Sequence, residues 1–320
     1  MNTRVKKRLL VLFLLLCVAV IFALAKGAVN IPLADLLLKK NQAIFNMRLL
    51  RILVAILAGS GLAVSGIALQ AILRNPLAEP YLLGTSSGAG LAAVIAVILG
   101  VSRIYMPLAA FLGAVVSIIL VYNLARERGR IVDTSLILSG VIVSVAFSSI
   151  IVFLVSLFGN LAMHEMNWWL WGSMQVYDHR LVMLVAIPVI LGVCVVYLFS
   201  QDLNAISMGE EEAMHLGIDT QRIKKILILV TALITSSLIC ICGIIGFVGL
   251  IVPHMMRLVC GPNHKVLIPT TCLAAAVFMV ACDLLSRTLF APVEIPIGVI
   301  TAIIGAPVFM FLLKKGRRLL

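Results

Sequence analysis

Charge is the scarcest property of this sequence. Asp, Glu, Lys and Arg make up only 12% of its 320 residues, against about 25% in a soluble domain. A single hydrophobic core stops growing near roughly 250–300 residues. A water-soluble fold of this length therefore has nowhere to bury a composition that is 62% hydrophobic. Mean hydropathy of +1.18 points the same way, and lipid is the solvent in which such a chain is stable. Acidic residues are rarer still, 13 against 25 Lys and Arg, for a net charge of +12. In a soluble protein that excess suggests nucleic acid. Here the basic residues stand at the ends of apolar runs, which fits the anionic face of a membrane.

Catalytic signatures are missing as well. There is no Gly-x-x-x-x-Gly-Lys-Ser/Thr loop, so ATP binding by a P-loop is excluded. No His-Glu-x-x-His or Cys/His ligand spacing occurs, and no metal site is expected from the scattered His164, His179, His215, His254 and His264. A Gly-x-Ser-x-Gly elbow is absent. The seven cysteines lie almost wholly inside apolar runs and read as small apolar filler. Most acids fall in loops or tails, and Asp283 and Glu294 flank the outer end of the last two spans. That disfavours an ion-coupled carrier, and equally a membrane enzyme built on paired carboxylates.

What the sequence has is long apolar runs. Measured against the ~20 residues that cross a bilayer, they give ten candidate spans: 9–25, 49–73, 81–99, 104–124, 134–158, 181–199, 226–241, 247–259, 266–285 and 297–313. The eighth is short, holds Pro253 and His254, and is expected to be a half-length or broken helix buried among others. Arg4, Lys6, Lys7 and Arg8 before the first run, and Ala23-Leu24-Ala25 at its close, resemble a signal peptide. Its 17 apolar residues exceed the usual ~7–15, and a retained first helix is expected. With both termini on one side, 17 of the 25 Lys and Arg fall on that side, so the termini are expected in the cytoplasm. Trp168, Trp169 and Trp171 then fall in an outer loop, as interfacial anchors.

Three features go beyond lipid packing. The inner loop 202–221 reads as one or two short amphipathic helices around Glu210-Glu211-Glu212, with Asn204 or Ser207 as caps. Adjacent glutamates disfavour an anionic lipid surface, so a protein partner is expected. Arg48 and Arg51 share a helix face at the outer end of the second span, with Arg287 on the same side. They are expected at the membrane edge, facing water or a partner, because an arginine at the bilayer centre costs at least ~2.5–3.5 kcal/mol. Gly140, Ser144 and Ser148 recur every four residues on the fifth span. They either line a pathway or serve helix packing.

An ordered set of motifs then brings a family into view. It runs Arg48-Leu49-Leu50-Arg51, Gly61-Leu62-Ala63-Val64-Ser65-Gly66 with Gln70, and Arg74-Asn75-Pro76-Leu77-Ala78-Glu79-Pro80. It continues through Gly209 and Leu216-Gly217 to Gly246-Phe247-Val248-Gly249-Leu250-Ile251-Val252-Pro253-His254. Asp283, Arg287, Pro296-Ile297-Gly298 and Gly305-Ala306-Pro307 complete it. From about Arg48 to Leu313 the chain resembles the FecCD-like permeases of ATP-binding-cassette importers for iron chelates, haem and vitamin B12. Leu50 departs from the proline usual there, with both arginines kept.

The resemblance implies an all-α membrane fold of about ten transmembrane helices, of the vitamin B12 importer permease type. It implies one permease domain over residues 1–320 and a cytoplasmic coupling-helix loop at 202–221. The expected setting is a bacterial or archaeal cytoplasmic membrane. The expected partners are a second permease copy, identical or closely related, two cytoplasmic ATPase subunits and an extracytoplasmic substrate-binding protein. No cofactor is expected in this chain, because ATP and Mg would be bound by the ATPases. Leu203, Met208, Gly209, Glu210, Glu211, Ala213, Leu216 and Gly217 would form the ATPase-coupling segment. Arg48, Arg51 and Arg287 would meet carboxylates of the binding protein. The expected cargo is an iron–siderophore complex, with haem or cobalamin as alternatives. The competing reading is a stand-alone secondary transporter or channel.

Overall fold

A computed structural model describes residues 3–27, 29, 31–32, 35, 38–127, 129–158 and 170–316. Trp168, Trp169 and His164 lie outside the described residues. Among these residues the apolar runs form ten helices: α1 (Thr3–Ala25), α2 (Gln42–Ile72), α3 (Thr85–Ile98), α4 (Met106–Ala125), α5 (Asp133–Phe158), α6 (His179–Leu198), α9 (Thr220–Cys242), α10 (Val248–Cys260), α11 (His264–Thr288) and α12 (Ile297–Gly316). Two short helices, α7 (Ser200–Met208) and α8 (Glu210–His215), stand between α6 and α9. Seven of the ten are long and apolar enough to cross a membrane; α3, α10 and α12 are shorter apolar helices.

α2 is the central post. α6, α9, α10 and α11 all pack on it, and it is buried almost continuously from Val54 to Ile72. Lipid supplies no hydrophobic drive between helices, so contact depends on small residues that let backbones approach. Gly66 is the clearest case: a Cβ there would come within 1.9 Å of the Gly249 carbonyl of α10. α1 lies against α11. α5 packs on α3 and α4 and leaves Leu138, Val141, Ile142, Val145, Val152 and Phe153 exposed. At the end where α1 starts, hereafter the near end, a two-stranded ribbon of β1 (Arg126–Glu127) and β2 (Arg130–Ile131) joins α4 to α5.

Two spans depart from straight helices. The third is expected over 81–99, yet Pro80–Leu83 makes a one-turn 3-10 helix and α3 begins only at Thr85. Pro80 packs against Gly249, so this stretch rises inside the bundle before the helix starts. The eighth is half-length, as its proline suggested. α10 is preceded by the non-helical Gly243–Gly246, and Phe247 adopts a positive φ of 71°. Irregular backbone inside such a bundle needs protein partners. The Tyr81 hydroxyl accepts from the Ile245 N–H at 3.1 Å, and the Cys242 carbonyl accepts from the Ser173 N–H at 2.8 Å.

Candidate functional site

The bundle carries charged chemistry at both ends. At the far end, where α1 finishes, Arg48 and Arg51 project from α2 and Arg287 from α11. The last carbonyls of a helix lack intrahelical donors, and the arginines supply them. Arg48 donates to the carbonyls of Leu24 at 2.6 Å and Val29 at 2.7 Å. Arg287 donates to that of Ala23 at 2.6 Å. Arg51 binds Asp283 through Nε at 3.0 Å and Nη2 at 2.8 Å, and reaches both Glu294 oxygens at 2.9 and 3.0 Å. Arg287 Nε stands 3.3 Å from Asp283 Oδ2, an ion pair without hydrogen-bond geometry.

The arginines stand at one end of the bundle as expected, but the expectation that they face water is corrected. Arg48 and Arg287 are buried and face the chain's own carbonyls, while the Arg51 side chain keeps 12% exposure. Asp283, expected beside the end of a span, is fully buried between two guanidiniums. Glu294 lies in the connection before α12, where Gln175 also donates to it at 2.8 Å. Burial pushes its carboxyl up, but Gln175 and Arg51 outweigh this and hold it below the usual carboxylate range.

At the near end, α7 and α8 form the expected pair of short helices. Leu203, Ile206 and Ala213 are buried, and α7 packs on α2 and α11. Met208, Met214, Leu216 and Glu211 remain exposed, so the pair offers a mixed apolar and acidic surface outward. Gly217 closes α8 with a left-handed φ of 80°, and Ile218 N–H reaches back to the Ala213 carbonyl at 3.1 Å, a common helix stop that favours glycine. Glu210 opens α8. The expected caps are absent: neither α7 nor α8 has a side-chain cap. Ser207 donates to the Leu203 carbonyl. Asn204 instead accepts from the His264 backbone N–H at 2.8 Å, serving the start of α11.

Sequence reasoning missed what holds this loop. Lys224, in the second turn of α9, is 1% exposed, and its ammonium binds both Glu210 of α8 and Asp133 at the start of α5. Arg74 Nη2 lies 3.8 Å from the other Asp133 oxygen. An open cleft of about 650 Å³ beside this cluster is lined by Arg74, Arg130, Asp133, Met208, Glu210 and Met214, among others. A lysine in a basic Arg222-Ile223-Lys224-Lys225 run gives no sign that one member turns inward.

The stripe on α5 divides. A Cβ at Gly140 would fall 1.8 Å from the Leu82 carbonyl, so Gly140 is a packing position. Ser144 and Ser148 instead line a shallow groove on the exposed side of α5. Among the described residues no group of three or more His, Cys, Asp or Glu could hold a metal ion.

Comparison with known proteins accords with this geometry. The chain is 39% identical over 269 residues to the cobalamin import system permease protein of Halobacterium salinarum, covering 84% of this chain and 72% of that one. It is 32% identical to the hemin transport system permease protein of Yersinia pestis, covering 99% and 98%. It superimposes with a TM-score of 0.87 on a solved inward-facing ABC transporter assigned to the metal-chelate type, at 32% identity, covering 97% of this chain and 99% of that one. The profile of one transport family matches residues 14–315, a range that takes in the far-end arginines, the α7–α8 loop and the broken α10. On that match and these relatives, the chain is a multi-pass membrane permease and belongs to the FecCD transport family.

Proposed function

We propose that this permease works as the membrane half of an ATP-driven importer for a bulky metal chelate: a ferric siderophore, haem or a corrinoid. The observation that carries the reading is the pairing of α7 and α8. They are two short helices at one end of an otherwise apolar bundle, buried through Leu203, Ile206 and Ala213 and exposing Met208, Glu211, Met214 and Leu216. A segment that anchors firmly and also offers apolar and acidic side chains is suited to a partner's groove. The partner would be a cytoplasmic ATPase, which supplies the hydrolysis for which this chain has no P-loop. The near end, with both termini, then faces the cytoplasm, as the bias of Lys and Arg favours.

The far end would receive the loaded binding protein. Its carboxylates would engage Arg51 first, the least covered of the three arginines, and compete there with Glu294. Arg48 and Arg287 would contribute as they exchange backbone carbonyls for the incoming groups. The groove at Ser144 and Ser148, open in a single copy, would be closed by a second permease copy, forming the pathway between them. ATP-driven closure of the ATPases would move α7–α8 and alternate access to that pathway.

The test is reconstitution. Vesicles holding the chain, its co-purifying ATPase and binding protein should accumulate cyanocobalamin, hemin or a ferric siderophore only with ATP inside the complex's reach. Vesicles with the chain alone should accumulate none. Uptake by the chain alone, driven by an ion gradient, would replace this reading with that of a secondary carrier.

A further inference from the structure

Lys224 is the deepest charge at the near end. Among the described residues its two carboxylate partners come from two other elements: Glu210 is the first residue of α8 and Asp133 the first of α5. A buried ammonium is costly unless paired, and Asp133 also gains from sitting at the N-terminus of the long helix α5. The lysine, on α9, is thereby the one charge that, among the described residues, pairs with both the short helix α8 and the helix that carries Ser144 and Ser148. α9 itself is anchored through Leu227, Ile228, Ile234 and Leu238 and is packed against α2, α4 and α6. It is therefore a fixed mount rather than a moving arm. Direct packing does little of this work: of the α8 residues only Ala213 is buried, while Met214 beside it is exposed.

We infer that Lys224 is a positioning residue that pins α8 to the start of α5, so that a displacement of α8 is felt at the helix bearing the groove. The inference rests on the importer reading for its purpose, but the pin is a property of the chain alone. Arg74, 3.8 Å from Asp133, is the second cation at the cluster. It keeps Asp133 compensated when Lys224 is changed, whereas among the described residues Lys224 is the cation paired with Glu210. Loss of Lys224 therefore falls hardest on α8.

Hydrogen exchange on the purified full chain in phosphatidylethanolamine–phosphatidylglycerol nanodiscs tests this without any partner. Lys224→Met should speed exchange of the 209–217 amides by about tenfold or more, while the 264–288 amides of α11 stay as in the wild type. Lys224→Arg should return the 209–217 amides toward the wild-type rate. Should Lys224→Met fail to insert, Glu210→Gln removes only the α8 arm and should loosen 209–217 while leaving 133–137 unchanged. Unchanged exchange at 209–217 in either variant would overturn the pin. So would an equal rise across α11, which would mark general unfolding. A failed ATP-dependence of uptake, with the exchange result intact, would instead count against the importer reading.

Discussion

Removing the Asp283 carboxylate would leave the guanidiniums of Arg51 and Arg287 close together inside the bundle, with Glu294 alone among the described residues to offset them. Breaking a buried charge pair from one side costs about 3–5 kcal/mol. Asp283→Ala should therefore lower the thermal midpoint of the detergent-solubilised protein by several degrees. Glu294→Gln should lower it far less, because Glu294 is partly open and Asp283 still serves Arg51. The same group sets a pH dependence. The folded state holds Glu294 below its ordinary value of about 4.3, so its contribution is complete above that value and is lost as pH falls through the depressed one. The midpoint should drop on acidification below the ordinary carboxylate value, and Glu294→Gln should remove the Glu294 share of that drop. The spacing of Arg48 and Arg51 made the arginines visible in the sequence. Their partners were not, since Asp283 and Glu294 are 232 and 243 residues from Arg51 along the chain. No local pattern encodes a pairing at that separation.

Elements in this fold are positioned by close backbone approach. A side chain at Gly66 would collide with the Gly249 carbonyl, and neither α2 nor the half-helix α10 has room to retreat. Gly66→Val should abolish the monodisperse folded peak in size-exclusion chromatography, whereas Gly100→Ala, which meets no atom within 4 Å and adds only the left-handed backbone strain of a φ of 68°, about 1–2 kcal/mol, should keep it. In the proposed importer the α7–α8 pair would govern coupling. Scrambling Met208 to Leu216 should leave the chain in the membrane but separate ATP hydrolysis from uptake. Hydrolysis that still tracked uptake would exclude the coupling role. The half-length α10 was legible from Pro253 and the shortness of its run. The late start of α3 was not. Residues 81–83 are as apolar as a helix turn, but they belong to the 3-10 turn Pro80–Leu83, which Gly84 ends at a left-handed φ of 73° and which packs through Pro80 on Gly249 and through the Leu82 carbonyl on Gly140.

For the whole molecule, orientation is the property to measure. In a cysteine-free background in intact cells or spheroplasts, Met214→Cys at the near end should resist an impermeant maleimide, and Tyr177→Cys at the opposite end should react. Both positions are exposed in the structure, so a reversed pattern would invert the proposed topology. The sequence by itself determined the solvent, the number of apolar runs and the helix-rich class, because transfer into lipid depends on composition summed over about twenty consecutive residues. It also determined which residues belong to the family's ordered motifs. Only the tertiary structure decided that Arg48, Arg51 and Arg287 turn inward, that Asp283 sits between cations, and that Lys224 joins α8 to α5. Charges inside a bundle settle where partners from distant segments meet them, and those meetings exist only once the helices have packed.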